Sequence, residues 1–166
     1  MFRKREPSPR LDSRLRYRKS FLEPLEDRRL LAANVAPANS VPDEVQFTRI
    51  NTPLAFTAYR GNLISTSDAD AGQEPIEVTL STVQGVLTLN FDDPDGILTY
   101  LEGDGVEDSS IRMRGSIGTI NEALGWLVFS PTQGYVGGEA SVTITTNDLG
   151  NSGEGGAEND TDTVSI

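Results

Sequence analysis

The feature that most constrains this chain is an apolar residue at every second position, in short runs broken by turn residues, from about Val45 onward. IEVTL places Ile76, Val78 and Leu80 on one face, VLTLNF does the same with Leu87, Leu89 and Phe91, and SVTIT with Val142 and Ile144. Successive side chains of a strand point to opposite faces, so the alternation describes half-buried strands with one wet face. Gln84-Gly85, Pro94-Asp95-Gly96 and EGDG at residues 102–105 separate the runs with the residue types that turns require. Short strands punctuated roughly every 8 to 12 residues predict an all-β antiparallel sandwich.

One segment departs from period two. Thr119 and Glu122 have the spacing of a capping box, in which hydroxyl and carboxylate accept from the exposed N–H groups of a helix start. The expectation is one short helical turn crossing between strands, with Ile120 and Leu124 entering the core and Trp126 packing on it.

Charge divides the chain. Of its 14 Lys/Arg and 25 Asp/Glu, residues 1–30 hold ten basic and five acidic side chains, which leaves four Arg against twenty acids for residues 31–166. The acidic body lacks the Lys/Arg clusters that phosphate contacts need, which argues against nucleic acid as its partner. It suits multivalent cations, although acidity alone also serves solubility.

Catalytic signals are weak. The chain has no histidine and no cysteine, so the commonest general base, thiolate nucleophiles and thiolate metal sites are all excluded. Ser130 and Ser141 have no histidine to activate them. The carboxylate pairs Glu102/Asp104 and Asp92/Asp93 fall on hairpin tips, without a cleft to shift a pKa. The expectation is a non-enzymatic protein.

Residues 1–33 read as a disordered basic head, because MFRKREPSPRLDSRLRYRKS has scattered charge and no apolar periodicity. It has no apolar core of about 7 to 15 residues for a secretory signal, and the chain has no run of about 18 for a transmembrane segment. Residues 34–46, with Pro37 and Pro42, read as an extended linker. Leu22-Glu23-Pro24, Arg28-Arg29 and Leu30-Leu31-Ala32 resemble the LEPR-XLL motif near the N-terminus of large, repeat-bearing bacterial proteins; here Leu25-Glu26-Asp27 intervene between proline and arginines. The resemblance implies a sorting element and an extracytoplasmic or cell-surface location reached by a non-standard N-terminal signal.

SDADAG (67–72) raises the question of metal. Calcium takes six to eight oxygen ligands, and carboxylates on alternate loop residues, as in Asp68 and Asp70, converge where a backbone curls. Asx turns, in which the aspartates accept from backbone N–H groups, are the alternative. An EF-hand is excluded, because the fifth position from Asp68 is Gly72 and the twelfth is Thr79. TNDLGN offers Asn147, Asp148 and Asn151 as further oxygen donors, and ENDTD offers Asp160 and Asp162.

NTPLAFTA (51–58), SDADAG, VTLSTVQGVLTL (78–89), GDG (103–105), GTINEAL (118–124), FSPTQGYVGGEASVTITTND (129–148) and DTDTVSI (160–166) occur in an order that resembles the cadherin-like repeats of very large bacterial surface and adhesin proteins. The resemblance covers nearly the whole acidic body. It implies an Ig/cadherin-like sandwich over residues 47–166, cut short at its last strand, whose partners are neighbouring repeats, cell-surface proteins or polysaccharide. It also implies calcium as the bound ion, with Asp68 and Asp70 as ligands; Asp148 is the expected third carboxylate, and Asn147, Asp160 and Asp162 stand in reserve. The alternative function is a carbohydrate-binding β-sandwich module, for which Trp126, Tyr59, Tyr100 and Tyr135 are the available aromatic platforms.

Overall fold

Ten strands carry the fold in the computed structural model, which describes residues 33–166 except Pro94 and Ser152. The expectations for the basic head and its LEPR-XLL-like segment lie outside the described residues. In chain order the strands are β1 (Ala38–Ser40), β2 (Leu54–Ala55), β3 (Ser65–Ser67), β4 (Ile76–Val83), β5 (Gly85–Leu89), β6 (Thr99–Glu102), β7 (Ser110–Gly115), β8 (Leu127–Pro131), β9 (Ser141–Asn147) and β10 (Asn159–Ser165). A helix, α1 (Ile117–Leu124), joins β7 to β8.

The pairing is antiparallel throughout these strands. A five-stranded sheet runs β10-β9-β4-β7-β6, a three-stranded sheet runs β2-β8-β5, and β1 pairs with β3. The alternating residues meet between the two larger sheets. Ile76, Val78, Leu80, Ile111, Met113, Val142 and Ile144 face inward from the five-stranded sheet, against Leu54, Leu87, Leu89, Leu127 and Phe129 from the other. Each fully buried Leu, Ile or Phe contributes about 1.5–3 kcal/mol relative to leaving it exposed. Over the described residues the fold is an all-β sandwich with one short α-helix.

The outward face of the larger sheet is polar. Glu77 sits opposite Arg114 in the β4–β7 register and accepts from its guanidinium at 2.7 Å, with Arg112 at 3.7 Å. Thr143 and Thr163, and Thr145 and Thr161, share hydroxyl hydrogen bonds across β9 and β10 at 2.9 and 3.0 Å.

Several local expectations change. Gln84-Gly85 is not a hairpin turn: β4 belongs to the five-stranded sheet and β5 to the three-stranded one, so the dipeptide carries the chain across the sandwich. Gln84 adopts φ 62°, and a Cβ on Gly85 would lie 2.2 Å from the Phe129 ring, so only glycine fits the crossing. The cap of α1 lies three residues before the expected one. Ser116 is the N-cap, accepting from the Thr119 N–H at 3.2 Å, and the helix has eight residues instead of a single turn. Ile120 and Leu124 are buried as expected, whereas Trp126 is 58% exposed and does not pack in the core. The expected linker contains β1. β10 pairs with β9 at seven consecutive positions.

Candidate cation site

Three loops meet at one end of the sandwich: the turn after β3, the connection between β9 and β10, and the segment that enters β1. In the first, Asp68 Oδ1 accepts from the N–H groups of Asp70 and Ala71, both at 3.1 Å. This is the Asx turn considered from the sequence, and it occupies one carboxylate oxygen of Asp68. The other, Oδ2, is sealed from solvent and has no hydrogen-bond partner among the described residues.

Asp70 is in the same condition. Its Oδ2 accepts from the Val35 N–H at 3.2 Å, while its Oδ1 is buried and unpartnered. Burial pushes the Asp68 carboxyl above the ordinary carboxylate range, and the Asp70 carboxyl lying against it adds to the rise, by contact and by like charge. Two acids held together with no donor between them repel, so this arrangement is costly without a proton or a cation.

Asp148 stands differently. It is 1% exposed, and its Oδ1 accepts from Gly150 N–H at 2.9 Å and Glu158 N–H at 2.8 Å. Its Oδ2 accepts from the side-chain amide of Asn34. Burial alone would raise its pKa, but these donors outweigh it, and the group is held below the ordinary value. Gly150 makes the close turn possible: it has φ 64°, and a Cβ there would approach the Ala157 nitrogen to 2.9 Å.

Asn34 was not anticipated as a site residue. Its Nδ2 also donates to the Gly156 carbonyl at 2.8 Å, and both partners can only accept, which fixes the amide orientation. Its Oδ1 is thereby left as a third buried oxygen without a donor. Asn34 is beside Val35, whose N–H reaches Asp70, so the entering segment is tied to both acidic loops. A sequence signal existed only in the type of residue, because the contact that gives it meaning spans 114 positions.

The remaining candidates do other work. Asn147 donates to Asn159 Oδ1 at 2.6 Å and accepts from Leu149 N–H, while Asn151 donates to the Pro75 carbonyl. Asp160 accepts from Asn39 N–H at 2.6 Å and so holds β1 against β10. Asp162 pairs with Ile144, two residues further from the loops, about 7 Å along the strand. Among the described residues, no group of three carboxylates is arranged to hold a metal. The structure leaves buried oxygens without donors on Asp68, Asp70 and Asn34, in segments joined by the Val35 N–H bond to Asp70.

Other acids staple loops. Asp93 accepts from Ile97 and Leu98 N–H, Asp104 from Val106 N–H, and Asp108 from Asp104 and Gly105 N–H. At the far end of β10 lies a groove of about 270 Å³, lined by Phe47, Ile50, Tyr135, Val136 and Ile166 among others and containing no carboxylate side chain. No protein-family model and no curated protein matches the chain.

Proposed function

We propose that the chain is a non-enzymatic, extracytoplasmic structural or adhesion module, a cadherin-like repeat of a larger surface protein, stabilised by calcium at Asp68, Asp70 and Asn34. The observation that carries this reading is the set of three buried, donorless oxygens on those residues. Buried polar atoms are normally satisfied, and oxygens without donors are what a hard cation takes. Asp68 and Asp70 match its double charge. Asp148 supports the site from behind by orienting Asn34, and water completes the six to eight ligands that calcium prefers.

With few protein ligands the affinity is weak, about 10⁻⁴ to 10⁻³ M, as in extracellular modules. At ten times the dissociation constant the folded form gains about 1.4 kcal/mol, or a midpoint shift of roughly 4 to 7 °C for a body of this size. The test is melting in millimolar calcium, in magnesium and in chelator. The expected order is calcium above magnesium above chelator, with the calcium gain lost when Asp68→Asn and Asp70→Asn are combined. Equal midpoints in calcium and chelator would leave a metal-free module.

A second reading, a carbohydrate-binding module, is favoured by one observation: Trp126 and Tyr59 are 58% and 99% exposed. Exposed aromatic rings are platforms on which apolar sugar faces stack.

A further inference from the structure

The loop that carries Asp68 and Asp70 is fixed at its upstream end by a side chain on the helix. Asn121 Oδ1 accepts from the Thr66 N–H at 2.9 Å, and Asn121 Nδ2 donates to the Thr66 carbonyl at 2.8 Å. The amide orientation is forced, because one partner only donates and the other only accepts. Thr66 lies two residues before Asp68 and is 3% exposed. It is opposite Asn39 in the β1–β3 pairing, but both its peptide groups are taken by Asn121. The asparagine thus stands in for a neighbouring strand on the far side of β3.

Its own position is rigid. Ile120, Ala123 and Leu124 are buried in the sandwich core and hold α1 in place, and Asn121 flanks that face. Downstream of the aspartates, Ala71 is 3% exposed and its carbonyl accepts from Glu74 N–H at 2.9 Å. The two acids therefore sit on a short arc pinned by Asn121 on one side and Ala71 on the other. An arc pinned at both ends keeps two like-charged carboxylates together, where a free loop would let them part.

We propose that Asn121 is a positioning residue for the cation site, holding the Asp68–Asp70 arc in its binding geometry through Thr66. This rests on the reading of that arc as a calcium site. Groups that orient metal ligands without touching the metal typically change affinity by about 10- to 100-fold when removed. A role in stability alone would lower the melting midpoint and leave the affinity unchanged.

The experiment is calorimetric titration of the full chain with calcium chloride, well below the melting midpoint, for wild type, Asn121→Ala, Asn121→Asp and Ile120→Val. Ile120→Val loosens the same helix through its core face without touching Thr66. The expected result is that Asn121→Ala binds at least about tenfold more weakly, while Ile120→Val binds as wild type does. Asn121→Asp keeps the acceptor for Thr66 N–H and loses the donor to its carbonyl, and its added negative charge by itself favours a cation. Weaker binding by this variant therefore reads lost positioning, and it serves if the alanine variant does not fold. Wild-type or tighter binding by Asn121→Asp, or equal weakening in Asn121→Ala and Ile120→Val, overturns the proposal. A wild-type chain that takes up no calcium overturns the underlying reading and the proposal with it, and that result is visible before any variant is compared.

Discussion

The side-chain amide of Asn34 donates to the buried carboxylate of Asp148, 114 residues further along the chain. This bond ties the segment before β1 to the loop between β9 and β10. Replacing Asp148 with alanine strips the N–H groups of Gly150 and Glu158 and the Asn34 amide of their acceptor, which costs about 3 kcal/mol or more. Asn34→Ala removes one donor from a charged acceptor and costs about 1–2 kcal/mol. Urea unfolding in chelator measures both. An Asp148→Ala variant within about 0.5 kcal/mol of wild type would contradict the burial and bonding given to this carboxylate.

The two acids respond to pH in opposite directions. Asp68 has a folded pKa above the unfolded 3.8, so in chelator its penalty is fully present at neutral pH and is relieved as pH falls through the folded value. Asp148 is depressed, so its contribution is fully present above 3.8 and is lost as pH falls through its lower folded value. In chelator, Asp68→Asn should therefore melt above wild type at pH 7, and the gap should close on approach to pH 4. In calcium at pH 7 the order reverses, because the ion needs the carboxylate. A chelator gap that stays constant across this range would mean that Asp68 carries no such penalty.

Gly85 separates close packing from mere glycine preference. A Cβ there would meet Phe129 at 2.2 Å and the Ser130 carbonyl at 2.6 Å, whereas one on Gly138 meets nothing within 4 Å. Gly85→Ala should cost about 3 kcal/mol, because the ring belongs to a close-packed core and has little room to yield. Gly138→Ala should be neutral or slightly stabilising, through lower unfolded-chain entropy. Thermal melting of the pair gives the comparison, and similar midpoints would contradict the packing at the crossing.

The helix start shows where reading the sequence succeeds and where it stops. The strands around Ile76-Val78-Leu80 and Val142-Ile144 were legible because period two is local and every position repeats it. Gln84-Gly85 was misread because the same dipeptide serves a hairpin or a crossing, and only the destination of β5 decides. Thr119 and Glu122 matched a capping box, but Ser116, just after Gly115 ends β7, takes the cap. Asp68 and Asp70 were visible as a pair from their spacing. Asn34 and Asn121 were not, since their partners lie far along the chain and no local pattern encodes a side chain that meets a distant loop or strand. Ser116→Ala should cost about 1 kcal/mol, while Glu122→Ala at an exposed position stays within about 0.5 kcal/mol. The reverse order in urea unfolding would restore the cap to Thr119.

Trp126 is the single tryptophan, so its fluorescence reports one place. The ring lies between α1 and β8 and is 58% exposed, so a small neutral quencher should reach it readily in the folded protein. The same measurement separates the two functional readings. If the module is a calcium-stabilised spacer or adhesion repeat, polysaccharide leaves the quenching unchanged, and Trp126→Ala lowers stability by about 1 kcal/mol or less because little packing is lost. If sugars stack on this ring, polysaccharide shields it from the quencher, and Trp126→Ala abolishes retention on an insoluble polysaccharide matrix while leaving the calcium shift of the melting midpoint intact. Shielding by polysaccharide together with loss of retention in Trp126→Ala would establish the carbohydrate-binding reading, and both are expected to be absent.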